Sequence, residues 1–229
     1  KLVPSPENPM AETIELSAPD GHRFSAYQAQ PPGTPRGALV IIQEIFGITQ
    51  HMRDVADQYA AQGYTSIVPA MFDRVRPGIV LDYSQMQQGV ETMMQLKPSQ
   101  TLLDIGAAVD AAATAGRKTG VVGYCWGGTM AYVAACRLPI SAAVSYYGGR
   151  ILQYADRKPR CPVMYHFGEQ DQSIPMGTVE KVRELHPEGI FHTYPAGHGF
   201  NCNARASYEP ESARLAFERS LEFLRTHVG

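Results

Sequence analysis

In the stretch VVGYCWGGTM, Val121 to Met130, one cysteine is bracketed by glycines two residues before it and two residues after it. An apolar, β-branched run leads in and a small-residue run leads out, which predicts a strand, a sharp turn and a helix around Cys125. This is the spacing G-x-S-x-G with cysteine in place of serine. Small neighbours leave room for a strained central residue, whose side chain is then displayed at a helix N-terminus. The helix dipole there favours a thiolate, the form of sulfur that attacks a carbonyl carbon. The plainer alternative is a buried thiol packed beside two glycines.

A thiol nucleophile needs a base, and the base needs an orienting carboxylate. On this type of turn they follow in chain order nucleophile, acid, histidine. FGEQDQSIP places Asp171 just beyond one apolar run, and YPAGHGF places His198 just beyond the next. Both fall where strand ends carry the sites of open α/β sheets. Taken singly, Asp171 reads as a turn former and His198 as a loop histidine; in the required order they assemble with Cys125 into acyl-transfer chemistry. Glu169 is a rival for the acid. The other histidines, His22, His51, His166, His186, His192 and His227, fall on predicted strands, helices or termini.

The elements that must position these groups alternate. RGALVIIQE is an apolar run ending at Glu44, as in a strand buried on both faces. Met52, Val55, Ala56, Tyr59 and Ala60 recur at helical spacing, with Gly63 as the stop, and YTSIVP is the next strand. A helix is predicted from an N-cap at Ser99 to Gly116, then the strand TGVVGYC and the helix GGTMAYVAACR. ISAAVSYYG, CPVMYHFG and IFHTYP are three further strands, with a helix at MGTVEKVRELH. Ala213, Ala216, Phe217, Leu221 and Leu224 stripe a last helix. The fold class is therefore α/β, a mainly parallel central sheet with helices on both faces, in a single domain spanning residues 10–229. Residues 1–9 read as a disordered leader or added remnant ahead of a start at Met10. Residues 72–97 read as a cap, with Tyr83, Met86, Met93 and Met94 available to an apolar pocket.

A formal charge of -2 and the absence of any long basic run give no footing for a nucleic-acid or membrane-surface partner. The four cysteines form no C-x-x-C pair and stand in no zinc-like spacing with histidine, so no metal site is expected. Free thiols are expected in a cytoplasmic, monomeric protein, with Cys136, Cys161 and Cys202 as small buried apolar groups.

Together, VIIQEIFGI, MRDVADQYAAQGY, VVGYCWGG, HFGEQDQSIP and YPAGHGF resemble the dienelactone hydrolase family of α/β hydrolases, over most of the chain from about Glu12. The resemblance implies Cys125 as nucleophile, His198 as general base and then acid, and Asp171 as its orienter. It assigns Glu44 as the partner of the resting thiol and the backbone N–H groups of Ile45 and Trp126 as oxyanion donors. No cofactor is implied. The implied reaction is hydrolysis of a small ester or lactone through a thioester.

Phe46, Arg74, Arg76, Tyr83 and Phe200 are the expected substrate contacts. Family members that act on dienelactone are expected to hold the substrate carboxylate with two arginines, one before the helix that precedes the cysteine turn and one shortly after the catalytic histidine. Here Cys202 takes the second position, with Arg205 three residues on, and the earlier segment offers only Arg74 and Arg76. A generic esterase or thioesterase on the same three residues is the second reading. A ligand-binding or thiol-redox protein of the same fold is the third.

Overall fold

The structure is a computed structural model that describes residues 10–113 and 117–229. The expectations for residues 1–9, and for Gly116 as a helix end, lie outside the described residues.

Eight strands form one sheet in the order β1-β2-β4-β3-β5-β6-β7-β8. Strands β3 (Gly37–Ile42), β4 (Tyr64–Pro69), β5 (Thr119–Tyr124), β6 (Ala142–Tyr146) and β7 (Val163–Gly168) are buried along their whole length, which is why they read as continuous apolar runs. These five and β8 (Ile190–Tyr194) pair in parallel. A hairpin, β1 (Met10–Ser17) and β2 (Arg23–Gln30), adds two antiparallel strands beside β4. Its sequence alternates weakly and lies outside the predicted elements, because β1 is an edge strand with most side chains in solvent.

Helix α1 (Gln50–Ala61) begins at Thr49, whose hydroxyl accepts the Met52 N–H, and stops before Gly63 at φ +96°. Its buried face carries Met52, Val55, Ala56, Tyr59 and Ala60, the predicted stripe. Helix α2 (Met86–Met94) lies inside the predicted cap. Helix α3 (Pro98–Ala112) starts two residues earlier than the Ser99 cap predicts: Lys97 is the N-cap and Pro98 takes the first helical position, where its fixed φ and missing N–H carry no penalty. Helices α4 (Trp126–Arg137), α5 (Met176–Leu185) and α6 (Pro210–His227) follow β5, β7 and β8. Tyr59 of α1 stacks at a tilt on Phe217 of α6, joining those two helices. No helix among the described residues is long and apolar enough to cross a membrane.

Two features of this architecture make a site. Parallel strands bring the residues after β3, β5, β6, β7 and β8 to one edge of the sheet. The segment after β4 then folds over that edge: Phe72, Leu81 and Met93 join Ile45 and Phe46 in a small apolar cluster of their own. Contact there is close enough to require glycine. Gly47 has φ +82°, and a Cβ on it would stand 2.2 Å from the Ile79 carbonyl oxygen; one on Gly89 would stand 2.4 Å from that of Ile45.

Candidate active site

Cys125 joins β5 to α4 at φ 57° and ψ -118°, a left-handed conformation that only a tightly held turn sustains in a residue bearing a Cβ. The flanking glycines explain how. A Cβ on Gly123 would stand 1.9 Å from the Gly127 oxygen, and one on Gly127 would stand 2.3 Å from the Ile42 oxygen. The turn is also pinned from the sheet, the Cys125 N–H donating to the Tyr146 oxygen at 3.0 Å.

Asp171 and His198 come from the loops after β7 and β8. His198 Nε2 is 3.0 Å from Cys125 Sγ, and His198 Nδ1 donates to Asp171 Oδ2 at 2.7 Å. The other carboxylate oxygen, Oδ1, accepts the N–H groups of Ser173 and Ile174 at 2.8 and 3.0 Å, so a buried carboxylate is fully engaged and aimed. Burial alone would lower the pKa of His198, but the hydrogen bonds from Asp171 and Cys125 outweigh it and push it up to about 10. The rival acid, Glu169, is exposed and accepts from Thr193 Oγ1 on β8.

Glu44 is buried, and its partner is Arg205: Nη1 to Oε1 is 3.4 Å, while Oε2 has none among the described residues. Burial raises its pKa, and the charges of Arg205 and His198 pull the other way. The thiol therefore faces His198 and the carboxylate faces Arg205, an arrangement different from the expected Glu44–thiol pair. Gln43, fully buried, accepts the Met71 N–H through its side-chain oxygen and donates to the Glu44 carbonyl, locking the end of β3 under the cap.

A pocket of about 310 Å³ opens over Cys125 and His198. Ile45, Phe46, Met86, Val90, Met93 and Trp126 give it one apolar side. Arg150, Arg205, Thr129 and Ser173 supply polar groups on the rest. Both residues expected to offer oxyanion N–H groups, Ile45 and Trp126, thus border the space beside the sulfur. Trp126 opens α4, where backbone N–H groups lack intrahelical acceptors.

Of the other expected substrate contacts, Phe46 lines the pocket and the rest lie elsewhere. Arg74 makes paired hydrogen bonds to Asp104 and to Asp20, all four between 2.7 and 3.1 Å, so it braces the hairpin turn against α3 and is not free to clamp a ligand. Arg76 is exposed and outside the pocket lining. Tyr83 shares a hydrogen bond with Thr49 Oγ1 and sets its ring edge-on to Phe46 at 4.7 Å, supporting the wall without forming it. Phe200 is wholly buried against Tyr147 and Tyr194. Met94 is exposed on the far side of α2 from Met93. Of the cysteines, Cys136 and Cys202 are buried and Cys161 only half-buried, and all four are free. Arg150 and Arg205 are the pocket cations; the sequence placed Arg205 only as the arginine three residues beyond Cys202 and did not single out Arg150. Their one legible signal is position, Arg150 shortly after the end of β6 and Arg205 in the loop that carries His198.

Comparison with known proteins agrees with this geometry. Residues 24–228 match the dienelactone hydrolase family. A carboxymethylenebutenolidase of Pseudomonas putida is 32% identical over 227 residues, covering 94% of this chain and 96% of that protein. The same figures hold for one from Pseudomonas knackmussii. Among solved structures, a candidate dienelactone hydrolase from Klebsiella pneumoniae superposes with a TM-score of 0.83 at 28% identity, covering 95% of this chain and all of the other. A dienelactone hydrolase-like promiscuous phosphotriesterase from metagenomic libraries shares the fold, with a TM-score of 0.75 at 18% identity over 96% and 99% of the two chains. With an eight-stranded, mainly parallel sheet and a match over nearly its whole length, the chain has the α/β-hydrolase fold and belongs to the dienelactone hydrolase family.

Proposed function

We propose that the protein hydrolyses a small ester or lactone by covalent catalysis, with Cys125 as nucleophile, His198 as the proton carrier and Asp171 as its orienter. The observation that carries this reading is the unbroken line from Cys125 Sγ through both nitrogens of His198 to Asp171 Oδ2. His198 takes the thiol proton, and the thiolate attacks the carbonyl carbon. The tetrahedral oxyanion is met by the N–H groups of Trp126 and Ile45. The imidazolium then protonates the leaving alkoxide, and a thioester remains. Water, deprotonated by the same imidazole, attacks the thioester and restores the thiol. In a lactone the leaving alkoxide stays tethered to the product.

The pocket limits the substrate. Its volume admits a small molecule, Met86, Val90 and Met93 of α2 accept apolar groups, and Arg150 and Arg205, the second paired with Glu44, line the same space with guanidinium groups suited to a carboxylate. The names of the two Pseudomonas relatives point to the same kind of lactone. Hydrolysis of p-nitrophenyl acetate and of a dienelactone, by wild type and Cys125→Ala, tests the reading. Turnover of at least one by wild type and none by the variant is expected; turnover retained in the variant would remove Cys125 from its role.

A further inference from the structure

Among the described residues, two that are not glycine hold a positive φ: Cys125 at 57° and Tyr147 at 40°. The first is the proposed nucleophile. The second follows β6 directly and is wholly buried. A left-handed conformation costs a bulky residue about 1–2 kcal/mol, and such positions cluster where the surrounding structure has a use for the side chain. Glycine would remove the strain, yet the chain has its glycine one residue later, at Gly148. There a Cβ would stand 2.9 Å from both Gly128 C and Thr129 N. Tyrosine is thus kept at the strained position, and its ring has a definite target.

That target is His198. The Tyr147 ring meets the imidazole edge-on, with centroids 5.2 Å apart and planes at 60°. Behind it, Phe200 packs edge-on at 5.4 Å and Tyr124 at 6.2 Å, so the ring itself cannot shift. The backbone is fixed as well: Tyr147 N–H donates to the His166 oxygen at 2.7 Å, and the Cys125 N–H donates to the neighbouring Tyr146 oxygen at 3.0 Å. One strand end therefore sets both the cysteine turn and the ring against the histidine.

We propose that Tyr147 is a positioning residue, whose ring edge holds the His198 imidazole in line between Cys125 Sγ and Asp171 Oδ2. Asp171 and Cys125 hold the two ring nitrogens through hydrogen bonds, but bonds at opposite ends of the ring do little to stop it tilting about the line between them, and the Tyr147 ring closes that freedom. Near-attack geometry is sensitive to such small displacements. This inference rests on the Cys125–His198–Asp171 reading above.

Three variants test it. Tyr147→Phe keeps the ring and is expected to retain kcat within about twofold. Tyr147→Asn tolerates the left-handed backbone but removes the ring; its kcat should fall about 10- to 100-fold, with KM changed less than about threefold. The low-field proton signal of His198 Nδ1–H, sharp in wild type and in Tyr147→Phe, should broaden or vanish in Tyr147→Asn. Tyr147→His, which restores an aromatic ring, provides a second ring-bearing variant and should recover kcat even where the asparagine variant folds poorly. A Tyr147→Asn enzyme with wild-type kcat and proton signal would overturn the proposal, as would a Tyr147→Phe enzyme as impaired as the asparagine variant. Loss of Cys125 dependence in the hydrolysis assay would instead overturn the underlying reading, so the two failures are distinguishable.

Discussion

Arg205 Nη1 stands 3.4 Å from Glu44 Oε1, at the point where a carboxylate was expected to face the thiol. Both side chains are shielded, the glutamate almost entirely, and a partly desolvated ion pair of this kind loses several kcal/mol when one member is removed, since the other charge remains buried. Arg205 is also held by its surroundings: it lies over the Phe46 ring at 5.9 Å, and a Cβ on Gly199 would collide with its guanidinium.

Glu44→Gln removes the charge but keeps the shape. With the carboxylate gone, the Glu44 charge near His198 no longer opposes formation of the Cys125 thiolate, and the Arg205 guanidinium next to the pocket loses its partner. The variant is expected to fold and to react faster than wild type with iodoacetamide at neutral pH. Identical alkylation rates across pH 5–9 would exclude any electrical contact between Glu44 and the thiol.

Arg150 lines the pocket over Cys125 and His198. If it meets a substrate carboxylate, Arg150→Ala should raise KM about tenfold for an ester bearing a carboxylate and leave a neutral ester of the same size unchanged. Equal effects on the two substrates would place the arginine outside recognition.

Arg74 behaves differently. Its guanidinium joins Asp20 and Asp104, and the Asp104 side chain is 1% exposed. Arg74→Met would strand a buried carboxylate, a loss of about 3–5 kcal/mol. Chemical denaturation should show that loss, while kcat/KM of the remaining folded enzyme stays near wild type. A selective loss of kcat/KM at unchanged stability would return Arg74 to substrate binding.

How far the site was legible follows from what each residue answers to. Cys125, Asp171 and His198 are marked by local rules: glycine spacing, strand ends and chain order. Each strand from β3 to β7 is visible because burial on both faces leaves an apolar run, and the α1 and α6 stripes because one face alone is buried. The Arg74 ion pairs were not legible because its partners lie 54 and 30 residues away, and no local pattern announces a long-range ion pair. Phe200 sits two residues from His198, but a side chain's direction in a loop is set by the tertiary packing, here Tyr147 and Tyr194. The β1–β2 hairpin and the Tyr147 strain were hidden for related reasons, one for lack of buried alternation and the other because a backbone dihedral leaves no trace in composition.

The glycines around the nucleophile should be intolerant of even one carbon. Gly127→Ala would bring its Cβ to 2.3 Å from the Ile42 oxygen and 2.5 Å from that of Gln43, both backbone atoms of the central strand end. Backbone cannot yield as a flexible side chain can. A loss of about 3 kcal/mol or more, or failure to fold, is expected on thermal or urea denaturation. By contrast Gly177→Ala, on α5 where a Cβ meets nothing within 4 Å, should be neutral or slightly stabilising. A well-folded, fully active Gly127→Ala enzyme would show that the turn is looser than its geometry.

The last expectation concerns pH. His198 titrates near 10 in the folded protein against an ordinary value of 6.5, because the hydrogen bonds from Asp171 and Cys125 outweigh burial. A group whose pKa is raised on folding binds its proton more tightly in the native state, so its contribution to stability is complete below about 6.5. The contribution declines as pH rises and is gone above about 10. The melting temperature of wild type minus that of His198→Gln should therefore be largest at pH 6, shrink steadily through pH 8 and 9, and approach a constant near pH 10. A difference independent of pH over that range would mean that the imidazole is neutral in the resting enzyme.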